Sequence, residues 1–167
     1  MFGGHQKIEK VALGLGSNLG DRMENLRGAV RALAPYVTVT ATSPVYETAP
    51  VYVGGQPAFL NAAVTGTTGL PPLALLRALK DLEAELGRMP TFRYGPRAID
   101  IDIIFYGDEV LATPELTLPH PRLQEREFVL RPLTDIAPGW RHPANGLTVA
   151  EMLARVPSSN PSCLGSL

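Results

Sequence analysis

The stretch Ala98 to Tyr106, AIDIDIIFY, decides the fold. Ile99, Ile101 and Ile103 alternate with Asp100 and Asp102, and side chains two apart on a strand point the same way. One face of this strand is therefore apolar. The other carries two carboxylates roughly 7 Å apart, from a rise of about 3.3 Å per residue. Three further strands read outward from it. Residues 10–18 (KVALGLGSN) put Val11, Leu13 and Leu15 on one face and Ala12, Gly14 and Gly16 on the other. Residues 36–46 (YVTVTATSPVY) are β-branched and alternating, and residues 59–66 (FLNAAVTG) set Leu60, Ala62 and Val64 against Phe59, Asn61 and Ala63. Two helices fall between strands. Asp21 to Ala34 opens with capping-box spacing at Asp21 and Glu24 and stops at Pro35. The second starts at Pro71-Pro72 and carries Leu75, Leu76, Leu79, Leu82 and Leu86 as a stripe toward Gly87.

The order βαββαβ is the ferredoxin-like arrangement, an α+β fold with an antiparallel sheet, helices on one face and a ligand site expected on the other. Loops are expected over 47–58 and over the basic, Pro/Gly-punctuated stretch 87–97. Beyond 106 come a turn at Gly107-Asp108 and a short strand near 109–112. A mixed stretch over 116–136, with extended and short helical pieces expected, follows, then a last helix over 147–156. Residues 1–9 read as an N-terminal extension, 10–157 as a single domain and 158–167 (SSNPSCLGSL) as a flexible tail.

With 167 residues the chain can bury a core without disulfides, and its lone cysteine, Cys163, cannot form an internal one. Fifteen basic residues against 16 acidic ones give a net charge of −1, which offers no support for bulk nucleic-acid or membrane-surface binding. No apolar run reaches membrane-spanning length and no signal core follows the N-terminal charges, so the cytoplasm is the expected compartment.

Asp100 and Asp102 carry the strongest chemical signal. Two carboxylates side by side repel unless a cation lies between them. Mg²⁺ suits hard oxygen ligands and takes one or two carboxylates plus substrate phosphates. Alone, the pair also reads as the solvated acidic face of an edge strand. Arg88, Arg93 and Arg97 stand just before it, and guanidinium forks match phosphate oxygens. Together they suit a polyphosphate. The run Gly14 to Gly20 (GLGSNLG) is neither a P-loop nor a dinucleotide fingerprint. It reads as a tight strand-to-helix turn that leaves room on the sheet, with direct phosphate cradling as the alternative. Phe59 and Phe128 can stack on a flat heterocycle, and the Asn61 amide can complement a ring edge. Both aromatics also fit a core. His120, between two prolines, reads equally as structural or exposed.

Five segments together resemble one family: LGLGSNLGDR (13–22), SPVYETAP (43–50), GQPAFLNAAV (55–64), GRMPTFRYGPRAIDIDIIFYGD (87–108) and LTLPHPRLQEREFVLRPLTDIAP (116–138). The family is 6-hydroxymethyl-7,8-dihydropterin pyrophosphokinase, of folate biosynthesis. The resemblance implies transfer of the β,γ-diphosphoryl group of ATP to the pterin hydroxymethyl group with release of AMP. It implies two Mg²⁺ ions on Asp100 and Asp102, and phosphate contacts from Arg88 and Arg97. Lys80, Glu83 and His120 fall near the nucleotide. Thr48, Val51, Phe59, Asn61, Asp100, Arg126 and Phe128 fall at the pterin. Phe59 stands where some members carry tyrosine, Pro90 where many carry a second loop arginine, and Lys80 where glutamine can serve the nucleotide. The expected partners are ATP and the pterin, with no nucleic acid and no membrane, and the expected state is a monomer. Two other readings remain: an RNA-binding module using the aromatic sheet face, which the two aspartates oppose, and an Mg²⁺-dependent phosphotransferase acting on another flat acceptor.

Overall fold

The chain runs β1 (Glu9–Ser17), α1 (Arg22–Ala32), β2 (Thr38–Thr42), β3 (Val45–Thr48), β4 (Phe59–Thr68), α2 (Pro72–Gly87), β5 (Asp100–Tyr106), β6 (Leu111–Ala112) and β7 (Thr117–Leu118). A 3-10 turn (Leu123–Glu125), α3 (Glu127–Ile136), α4 (Val149–Ala154) and β8 (Ser162–Gly165) follow. These elements come from a computed structural model that describes residues 7–48, 58–87 and 98–167. Most of the two expected loops, with Val51, Arg88, Arg93 and Arg97, lies outside the described residues.

The main sheet has the order β5-β1-β4-β3-β8, with β2 also on β4, and every pairing in it is antiparallel. This is the ferredoxin-like order. The first face buries Val11, Leu13, Leu15, Leu60, Val64, Ile101 and Ile103 against Leu26 of α1 and Leu75, Leu79 and Leu82 of α2. Alternation set these residues on one side, and their burial against two helices removes that side from water. Asp21 caps α1 by accepting the Glu24 N–H at 3.1 Å. The Glu24 carboxylate bonds Arg31 at 2.7 Å, so the expected reciprocal capping bond is replaced by an ion pair.

The sheet departs from the sequence reading at four places. The single strand expected over 36–46 is two, broken at Ser43-Pro44. Pro44 has no N–H for a ladder, and the Ser43 hydroxyl accepts the Ala63 N–H at 2.8 Å in place of a backbone carbonyl. In β5, register shifts between Ala12 and Leu13 of its partner. Ile104 is the extra residue, and this bulge turns Ile104 and Phe105 together onto the second face. That second face is only partly open. α3 and α4 cover one end of it, packing Leu130, Leu133, Val149 and Met152 on Ala12, Ala63, Ile104 and Phe105. Residues 158–167, expected as a flexible tail, place β8 against the edge of β3 and tie Ser159 to Glu127 through bonds of 2.9 and 2.6 Å. Their Ser, Pro and Gly content hides this, because the partner is the otherwise unpaired edge of β3.

Gly66 sits where β2 crosses closest. A Cβ there would lie 2.5 Å from the Thr38 carbonyl oxygen and 2.7 Å from Val37 Cγ1. Gly66→Ala is expected to destabilise the fold by about 2 kcal/mol or more, read as a lower urea midpoint with an unchanged slope.

His142 is 8% exposed, and its Nδ1 accepts the Ala144 and Asn145 N–H groups, each at 3.1 Å. Those bonds need the neutral ring, and burial pushes its pKa down. The folded pKa therefore lies below the unfolded one. The stabilisation is fully present above about pH 6.5 and is lost as pH falls from there toward the folded value. The melting temperature is expected to drop between pH 7.5 and 5.5, with a shallower drop in His142→Asn. The residual slope belongs to His120, whose pKa is also lowered.

Among the described residues no helix is long and apolar enough to cross a membrane, and Cys163 is a free, exposed thiol.

Candidate active site

Register lines up Asp100 of β5, Gly16 of β1, Asn61 of β4 and Tyr46 of β3 in one row across the second face. The neighbouring row is Asp102, Gly14 and Ala63. At about 4.8 Å per strand, Asp100 and Asn61 stand roughly 10 Å apart with only glycine between them. A Cβ on Gly16 would come within 3.3 Å of Asn61 Oδ1 and 3.7 Å of Phe59 Cδ1. One on Gly14 would meet Ile104 Cδ1 at 3.2 Å. The glycines thus let Asn61, Phe59 and Ile104 pack close over β1, between an acidic side and an aromatic, amide-bearing side.

On the acidic side Asp102 is exposed and Asp100 half-buried. Glu83 reaches from α2 to the open edge of β5, where its Oε2 accepts the Ile101 N–H at 2.6 Å. Its Oε1 accepts Lys80 Nζ at 3.1 Å. Of the three residues expected near a nucleotide, Glu83 is thus bonded to the backbone between the two aspartates, and Lys80 pairs with Glu83. His120 is tied to the same strand, its N–H donating to the Ile104 carbonyl at 3.0 Å. Its Nδ1 accepts the Arg122 N–H at 3.4 Å, which leaves Nε2 to carry the ring proton. Burial pushes its pKa down; the nearby Asp102 charge opposes this, and Arg126 and Arg122 add to the lowering.

No group of three or more His, Cys, Asp or Glu arranged to hold a metal occurs among the described residues. Mg²⁺ takes one or two carboxylates and draws its other ligands from phosphate and water. The hard oxygens of Asp100 and Asp102, two residues apart on one strand of the second face, fit Mg²⁺.

On the other side Asn61, 6% exposed, donates from Nδ2 to Thr48 Oγ1 at 2.8 Å. Thr48 pairs in register with Phe59, which borders Gly16. The Arg126 guanidinium lies 5.4 Å from the centroid of the Phe128 ring, a cation–π contact at the start of α3. Thr48, Asn61 and Phe59 are thus brought together, as are Arg126 and Phe128. Val51, Arg88 and Arg97 fall outside the described residues.

Tyr46 was not singled out from the sequence. Its hydroxyl donates to Asp135 of α3 at 2.5 Å. Burial, then the hydrogen bond and charge of Asp135, push its pKa up to about 12. It stays protonated and anchors α3 beside the row. Its place two residues before Thr48 on one strand was the available signal.

A ferredoxin-like sheet with paired carboxylates across two glycines from an amide and aromatic cluster defines the protein as a small α+β fold with a candidate site on the second sheet face. The family is more particular. Residues 12–138 match the model of 7,8-dihydro-6-hydroxymethylpterin-pyrophosphokinase, and the chain belongs to that family. It is 41% identical over 152 residues to 2-amino-4-hydroxy-6-hydroxymethyldihydropteridine pyrophosphokinase of Pseudomonas aeruginosa, covering 90% of this chain and 93% of that one. It is 43% identical over 148 residues to the folic acid synthesis protein FOL1 of Dictyostelium discoideum, covering 89% of this chain but only 22% of that protein. Against the mitochondrial folate synthesis bifunctional protein of Arabidopsis thaliana the identity is 51% over 128 residues, 76% of this chain and 23% of the relative. The chain thus spans about a quarter or less of these longer relatives. The fold is similar to that of the Plasmodium falciparum HPPK-DHPS crystal structure, with a TM-score of 0.73 at 18% identity, over 89% of this chain and 45% of that one.

Proposed function

We propose that this protein transfers the β,γ-diphosphoryl group of ATP to the hydroxyl of 6-hydroxymethyl-7,8-dihydropterin. The products are the pterin diphosphate and AMP, and the step belongs to folate biosynthesis. The observation that supports this reading is the two neighbouring rows Asp100–Gly16–Asn61 and Asp102–Gly14–Ala63, with two carboxylates on one side of the glycines and the Asn61 amide roughly 10 Å away on the other. The pterin oxygen attacks the β-phosphorus, the bond from that phosphorus to the α-phosphate oxygen breaks, AMP leaves, and the hydroxyl proton is released.

Asn61 and Thr48 present a donor and an acceptor to the pterin edge, while Phe59 and Phe128 take its ring by stacking. Arg126 adds a positive charge beside Phe128. Neutral His120 offers an Nε2–H to a phosphate oxygen, and Glu83 and Lys80 serve the nucleotide from α2. Asp100 and Asp102 would hold two Mg²⁺ ions, which when bound neutralise phosphate charge and polarise the reacting phosphorus. Arg88 and Arg97 enter as phosphate ligands on their sequence positions alone.

Incubation with ATP, Mg²⁺ and the dihydropterin is expected to yield AMP and pterin diphosphate in equal amounts. ADP as the nucleotide product would make the protein an ordinary kinase, and no nucleotide product would overturn the reading in favour of a binding module.

A further inference from the structure

The turn between β1 and α1 has a purpose that phosphate binding does not supply. Gly20 adopts φ +73°, in the left-handed region. The Asn25 amide donates to the Leu19 carbonyl at 2.8 Å and to Ser17 Oγ at 3.2 Å. Asp21 closes the turn as the cap of α1. Every one of these bonds points inward, to the turn itself. What the turn sends outward is Arg22, the first residue of the helix.

Arg22 Nη1 has two hydrogens, and both are used. One goes to Glu47 Oε2 at 2.7 Å and the other to the Ala58 carbonyl oxygen at 2.7 Å. Glu47 directly precedes Thr48, and Ala58 directly precedes Phe59. Thr48 and Phe59 are the last register pair of β3 with β4. The end of a strand pair is where ladder hydrogen bonds open first. A single planar, always-charged group thus ties the two strands together at that end. It does so from the α1 side of the sheet, opposite the face on which Thr48, Phe59 and Asn61 stand.

We infer that Arg22 is a positioning residue for the pterin half of the site. It holds Thr48 opposite Phe59, so that the Thr48 hydroxyl stays in reach of the Asn61 amide. Arg22 touches neither substrate. The glycine run is then the device that delivers it, and the small residues Gly14 and Gly16 are the floor below. This inference rests on the pterin reading given above and adds to it a residue that acts from behind the sheet.

The test is a steady-state comparison of wild type, Arg22→Ala, Arg22→Lys and Glu47→Gln, following AMP with each substrate varied in turn. Arg22→Ala is expected to raise KM for the dihydropterin by roughly tenfold, the scale for losing a charge-assisted contact, with KM for ATP and kcat within about twofold. Arg22→Lys, which can still donate to both oxygens, is expected to recover most of that loss. Glu47→Gln, which keeps an acceptor without the charge, is expected to fall between. Thermal melts identify any variant that is unfolded, and Glu47→Gln leaves the arginine in place if Arg22→Ala does not fold. An unchanged pterin KM in folded Arg22→Ala, or equal rises for both substrates with no recovery in Arg22→Lys, would overturn the inference. Failure of the wild type to release AMP would instead remove the pterin reading itself.

Discussion

Asp102→Ala is expected to lower kcat at least about a thousandfold while leaving the melting temperature within a degree or two. The first half follows from the chemistry. Transfer of a diphosphoryl group involves little covalent work by the protein, so the rate rests on positioning and on neutralising phosphate charge. In the proposed function Asp102 is one of two carboxylates that would hold the cation, so its removal takes away both. The second half follows from the packing. Asp102 is exposed and faces Gly14 in register, whereas Ile101 and Ile103 on either side are buried and hold the strand. Exposed substitutions that leave such neighbours alone change stability little. The assay is AMP release at saturating ATP and Mg²⁺, with a circular-dichroism melt on the same preparation. Near-normal turnover in folded Asp102→Ala would mean that the aspartates form a solvated strand face and nothing more.

Asn61→Leu is expected to lower kcat/KM for the dihydropterin by roughly a hundredfold or more, because a site built to bond a polar edge loses its partner outright. The replacement is close in size, and Asn61 is buried between Gly16 and Tyr46 in the row, so the change is chemical more than steric. Thr48 also loses the donor at 2.8 Å that fixes its hydroxyl. Affinity for a non-hydrolysable ATP analogue, measured by calorimetry without pterin, is expected to stay within about twofold. Loss of nucleotide affinity alongside pterin affinity would show that the two halves of the row are not separate.

Period-two alternation made much of this visible in the primary sequence. It put Ile101 and Ile103 behind Asp100 and Asp102, and Leu60 and Ala62 behind Asn61, so the two sides of the site were legible before their register was known. What alternation could not give was what one strand does to another. The bulge at Ile104 depends on its pairing with β1, and at the Ser43-Pro44 break the Ser43 hydroxyl reaches the Ala63 N–H of another strand. Short helical pieces were legible over 116–136, but the continuity of α3 was obscured by Pro132, which sits inside it and cannot donate a helical hydrogen bond. β8 was hidden by a composition that reads as coil. The bonds of Arg22 span 25 and 36 residues, a separation at which no local pattern marks either partner. Tyr46 was passed over because its partner, Asp135, lies 89 residues away on the helix that Pro132 obscured.

The proposed chemistry requires Asp100 and Asp102 to hold the ions that carry the nucleotide. Crystals grown with Mn²⁺ in place of Mg²⁺ and a non-hydrolysable ATP analogue would locate the metal by anomalous scattering. Two peaks between the carboxylates and the phosphates, each about 2.1 Å from oxygens of Asp100 or Asp102, are the predicted result. Ordered nucleotide with metal bound only to phosphate and water, and both carboxylates turned away, would contradict it.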